Sequence, residues 1–167
     1  MKYFIDCEFI EGFHKPLFGK KRHFIDLISI GIVAEDGRSY YAISNEFNPK
    51  DASQWVKDNV ISKLPAKTFI GRKSNKQIAE DIVNFVNPDL GFHISAYNNS
   101  EFKSPESYIS KHFEKHNVKD FDHHFFAQPE FYAYYADYDW VLFCSLFGTM
   151  MELPSVFPMY CKDLKQT

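Results

Sequence analysis

The triplet Asp6-Cys7-Glu8 is the part of this chain whose residue types are best suited to chemistry. It sits in residues 3–10, a run of aromatic and β-branched side chains that predicts a strand. Positions i and i+2 of a strand share a face, so the two carboxylates project together and Cys7 turns to the opposite, apolar side. Two acids side by side repel each other and resist burial. A divalent cation offsets that cost, and hard carboxylate oxygens suit Mg²⁺ or Mn²⁺. A strand end carrying two solvated acids fits the same triplet. A third acid, Asp139, falls just after an apolar run at 130–135 and in the first turn of an apolar helix predicted over 138–147. The helix dipole favours an acid there. Asp137 is equally placed to cap, which leaves Asp139 free to face a metal.

The elements that must position these acids are legible in outline. Residues 24–33 form a second apolar run, ended by Glu35-Asp36-Gly37, and residues 38–47 follow directly. Asp-Gly between apolar runs signals a hairpin, so an antiparallel three-strand meander is expected to open the fold. Ala52, Trp55, Val56, Val60, Ile61 and Leu64 recur at helical spacing up to Pro65. Ser74 and Gln77 have capping-box spacing and open a helix carrying Ile78, Ile82, Val83 and Phe85, ended near Asn87-Pro88. Residues 130–135 are a fourth strand, and Gly148 is the expected C′ residue of the helix after it. Residues 91–128 are polar and read as an insertion on one domain spanning 1–167.

Composition bounds the function. The chain has 167 residues, 45% hydrophobic and 25% charged, which excludes disordered and low-complexity classes. A net charge of −3 argues against a protein that coats nucleic acid by charge alone. Cys7, Cys144 and Cys161 are odd in number and lack metal-ligand spacing, which favours a reducing, cytoplasmic setting. The N-terminus has neither the apolar core nor the cleavage site of a signal peptide, and no run is long enough to cross a membrane.

Other candidates are weaker. Lys15, Lys20, Lys21, Arg22 and His23 form a basic segment between the first two strands, suited either to solvent or to the phosphates of a bound single strand. His112 and His116 share a helical face without a third metal ligand in view. Asp122, His123 and His124 lie in the insertion. The Asn98-Asn99-Ser100 sequon has no meaning without secretion.

Taken in order, residues 3–10, 27–37, Tyr40-Tyr41-Ala42, Glu46-Phe47, Trp55-Val56, Leu64-Pro65, Tyr138-Asp139 and Phe147-Gly148 resemble the DEDD 3′–5′ exonucleases. The likeness is greatest to the bacterial polyadenylate-specific exoribonucleases and the ribonuclease T group. It covers about 120 residues and skips 91–128. The resemblance implies an α/β, ribonuclease H-like mixed sheet, its meander followed by a parallel strand, with helices around it. It implies hydrolysis of single-stranded RNA from the 3′ end to 5′-mononucleotides, with adenylate-rich ends favoured. Asp6, Glu8 and Asp139 match its catalytic and metal-binding acids, around two Mg²⁺ or Mn²⁺ ions about 4 Å apart. Phe9 and Ile10, which follow the acids, match positions that touch the terminal nucleotide. A homodimer is compatible with the aromatic excess.

The family also carries a His and, about five residues later, a last Asp beyond the second motif. Here the last His, His124, precedes Asp139, and the only later Asp is Asp163. Residues 162–167 read as the start of a helix that does not finish. The expectation is therefore a truncated chain. The alternative is a non-catalytic nucleic-acid-binding or scaffold domain of the same fold.

Overall fold

The computed structural model describes residues 1–14, 18–86 and 129–166. The expectations placed on Asn98, His112, His116, Asp122, His123, His124 and Lys15 lie outside those residues. Strands β1 (Lys2–His14), β2 (Arg22–Ala34) and β3 (Ser39–Ser44) form the meander. Gly37 takes φ +88 in the turn between β2 and β3, a backbone that the Asp-Gly pair supplies cheaply. With β4 (Arg72–Lys73), β5 (Glu130–Ala133) and β6 (Lys162–Asp163), the sheet runs β4-β3-β2-β1-β5-β6. The β1–β2 and β2–β3 pairs are antiparallel, and the β1–β5, β3–β4 and β5–β6 pairs are parallel. This is the mixed α/β sheet expected, consistent with a ribonuclease H-like fold.

One sheet face builds the main core. Tyr3, Ile5 and Cys7 of β1 and Ile30 and Ile32 of β2 pack with helix α2 (Asn75–Val86) and helix α3 (Ala136–Ser145). Helix α2 contributes Ile78, Ile82, Val83 and Val86, and α3 contributes Leu142 and Phe143. The Ser74–Gln77 capping box forms as expected: the Gln77 amide donates to Ser74 Oγ at 3.2 Å, and the Ser74 amide donates to Gln77 Oε1 at 3.0 Å.

The opposite face carries a smaller cluster of Ile10, Ile28, Ala52 and Val60. Between Glu8 and Phe9 the β1–β2 register shifts, because Ile28 has no partner on β1. Such a bulge re-aims side chains next to a site.

Three elements depart from the sequence expectations. The helix expected over 52–64 is helix α1 (Gln54–Asn59) followed by a separate 3-10 turn at Ile61–Lys63. Two β-branched residues, Val60 and Ile61, are weak helix formers at the break. Residues 162–163 are strand β6, not the start of a helix: the ladder to Tyr132 and Ala133, and the Lys162 ion pair with Glu130, hold them extended. Helix α3 ends at Ser145 with Leu146 as its cap, so Gly148 lies one position beyond C′, at φ +110.

Candidate functional site

Asp6 and Glu8 are both exposed on one face of β1, while Cys7 between them is buried against α3. Strand alternation alone produces this division. The two carboxylates look into a hollow of about 300 Å³ whose wall includes Ser29 and Gly31 of β2, Tyr41 of β3, and Asn59, Lys63 and Leu64. Gly31 stands opposite Asp6 in the ladder, and its missing side chain keeps the space before the acid open. Nothing in the sequence singles out Asn59 or Lys63. They arrive because α1 and the 3-10 turn fold back over the acid face.

Asp139 approaches β1 from α3, on the edge where β5 lies. Strand β5 pairs with β1 only as far as Ile5–Ala133, so the next β1 amides have no strand partner on that edge. The Cys7 amide instead donates to Asp139 Oδ1 at 2.7 Å. A carboxylate on the first turn of α3 thus replaces the missing ladder bond and is fixed to the β1 backbone at Cys7, the residue between the two acids in sequence. Asp139 is only 8% exposed.

Two of the three acids, Asp139 and Glu8, are shifted by burial and by their acidic neighbours. Burial pushes the Asp139 carboxyl up, the Cys7 amide opposes the rise, and Asp6 adds to it. Burial also raises Glu8, helped by Asp6 and Asp139 and opposed by the Lys63 ammonium. Burial, then Asp139 and Asp6, holds the Cys7 thiol well above its ordinary value, so it is a protonated core group and no nucleophile. Among the described residues, no group of three or more His, Cys, Asp or Glu side chains is gathered closely enough to hold a metal ion as it stands. The donor set is nonetheless of the hard, all-oxygen type that Mg²⁺ and Mn²⁺ take. It also bears the mutual repulsion that a cation relieves.

The expectation that Asp137 caps helix α3 is corrected. The N-cap of helix α3 is Tyr135, which has φ 58 and ψ 58 and makes no side-chain cap. Asp137 does not cap but stands exposed by a separate hollow of about 600 Å³ beside Trp140 and Tyr160. A left-handed backbone at a non-glycine residue costs about 1–2 kcal/mol.

Phe9 is half-buried and stacks on Tyr138 with ring centroids 5.2 Å apart and planes 16° apart. Tyr138 in turn donates to Glu11 Oε1 at 2.9 Å. Ile10 has no exposed surface and belongs to the smaller cluster, so its side chain lies beneath the site. Of the basic segment, Arg22 and His23 are the first residues of β2, and His23 Nε2 is 2.8 Å from Glu11 Oε1.

The chain is 34% identical over 166 residues to 3′–5′ exoribonucleases from two strains of Mycobacterium tuberculosis. Each match takes in 99% of this chain and 73% of the relative. No family model matches the chain.

Proposed function

The chain belongs to the 3′–5′ exoribonuclease family, and from that premise we propose that it hydrolyses single-stranded RNA from the 3′ end with Asp6, Glu8 and Asp139 as a metal-binding acid set. The observation that carries this reading is the Cys7 amide bond to Asp139, which fastens a third carboxylate beside the β1 pair. The hollow of about 300 Å³ next to the acids is at the small end of ligand pockets and suits one nucleotide. In this reading the terminal nucleotide lies against Tyr41 and Asn59, and Lys63 meets its phosphate. The Phe9–Tyr138 stack borders the acids on the far side. Divalent cations bound by the three carboxylates would supply an activated water and neutralise the leaving 3′ oxygen. The chain's own contribution is to hold two of the acids on one face of β1 and the third on α3 against the Cys7 amide. The preference for adenylate-rich ends is part of the same proposal and rests on the resemblance alone.

The test is a 5′-labelled RNA oligonucleotide incubated with the chain and Mg²⁺ or Mn²⁺. The expected products are 5′-mononucleotides and a ladder shortened from the 3′ end, both abolished by Asp6→Asn. Cleavage that persists in that variant refutes the acid set. The scaffold reading has one observation in its favour, the absence of a gathered ligand group among the described residues. A Mn²⁺ titration followed by thermal shift separates the two, since a binding site raises Tm by mass action and a scaffold does not respond.

A further inference from the structure

Two adjacent tyrosines in the turn between β5 and α3 face solvent: Tyr134 is 58% exposed and Tyr135 is 60% exposed. Their rings meet edge to face with centroids 4.8 Å apart. Neither is part of the core, yet Tyr135 occupies a left-handed backbone that glycine would take without strain. The Lys165 ammonium lies 5.9 Å from both ring centroids. Its position is built by the backbone: the Leu164 amide donates to Ala133 O at 2.9 Å, and the Lys165 amide donates to Asp163 Oδ1 at 2.7 Å.

The place of this group in the sheet gives it a role. Phe4 pairs with Tyr132 and Ile5 with Ala133, so one more pair along the ladder would set Asp6 opposite Tyr134. The tyrosines therefore stand just past the carboxyl end of β5, one strand over from the acid-bearing part of β1. They lie on the β5 side of β1, whereas the hollow before Asp6 and Glu8 lies on the β2–β3 side. Neighbouring strands are about 4.8 Å apart, so a nucleotide on each flank of β1 places the phosphate between them over the acids.

We propose that Tyr134, Tyr135 and Lys165 form a stacking platform for the base of the nucleotide 5′ to the scissile phosphate. This rests on the exoribonuclease reading and assigns that site its upstream contact. Aromatic faces accept any base and a nearby ammonium meets the backbone charge, so this platform would hold the upstream nucleotide whatever its base and leave any base preference to the terminal position.

The test measures binding by anisotropy with a labelled oligoadenylate in the absence of added metal, and of adenosine monophosphate by calorimetry. Tyr135→Gly removes a ring while relieving backbone strain, so the fold is retained. Tyr134→Ala removes the other, and Tyr134→Phe is the conservative control. The expected result is a fall of about 5- to 150-fold in oligonucleotide affinity for Tyr135→Gly and Tyr134→Ala, the loss of one base stack. Tyr134→Phe restores binding, and mononucleotide affinity is unchanged. Unchanged oligonucleotide binding, no binding by the parent chain, or an equal fall for the mononucleotide overturns the platform. So does a change in oligomeric state without a change in RNA affinity, which marks a protein contact instead. Asp6→Asn run alongside separates the two ideas, since it bears on cleavage and leaves the stacking arm intact.

Discussion

Asp139 does two things at once: it partners a buried backbone amide, and it brings a third negative charge to Asp6 and Glu8. Two substitutions separate these roles. Asp139→Ala leaves the Cys7 amide buried without an acceptor, which costs about 1–3 kcal/mol. For a chain of this size that lowers Tm by about 2–12 °C. Asp139→Asn keeps an oxygen for the amide and removes the charge that burial and Asp6 disfavour. Its fold is at least as stable as the parent, while Mn²⁺ no longer raises Tm and cleavage is lost. The pH dependence follows from the direction of the shift. A carboxyl raised in the fold adds stability that is whole below its unfolded value and is lost as pH rises through its folded value. The advantage of Asp139→Asn over the parent is therefore nil in strong acid and grows as pH climbs through and above the carboxylate range. Metal-free thermal melts of the three chains across that range test this. An Asp139→Asn chain that melts as low as Asp139→Ala at neutral pH would show that the charge itself stabilises the fold, and the argument from shared repulsion would fail.

Two further perturbations address neighbouring features. Lys63 is exposed beside the hollow and opposes the rise of Glu8; Lys63→Gln is expected to weaken RNA binding several-fold and reduce its salt slope by about one, with Tm unchanged. Gly148 has φ +110, and an added Cβ would lie 2.4 Å from Glu152 Oε2, whose carboxylate accepts the Thr149 amide. Gly148→Ala is expected to cost at least about 1 kcal/mol in urea unfolding while leaving oligonucleotide affinity intact.

The meander, the Ser74 capping box and the shared face of Asp6 and Glu8 were readable because each follows from contacts within a few residues. Alternation on β1 needs no partner, and Asp36-Gly37 specifies its turn by backbone preference. Longer reach defeated the same rules elsewhere. The periodicity of 52–64 ignores how Val60 and Ile61 break the helix once they pack against Ile10 and Ile28. Residues 162–163 look helical until β5 offers them a ladder. Asp137 looks like a cap until Tyr135 takes the left-handed N-cap position without one.

From its residues alone, the chain declares which acids share a strand face and which third acid follows the parallel strand. It does not declare that Asp139 fills the hydrogen-bond gap where β5 stops short of β1, or that Lys63 and Asn59 come to lie over the same hollow. Those depend on where strands end relative to one another and how a broken helix folds back. Such distances are set by packing between residues far apart in the chain, and no local pattern encodes them.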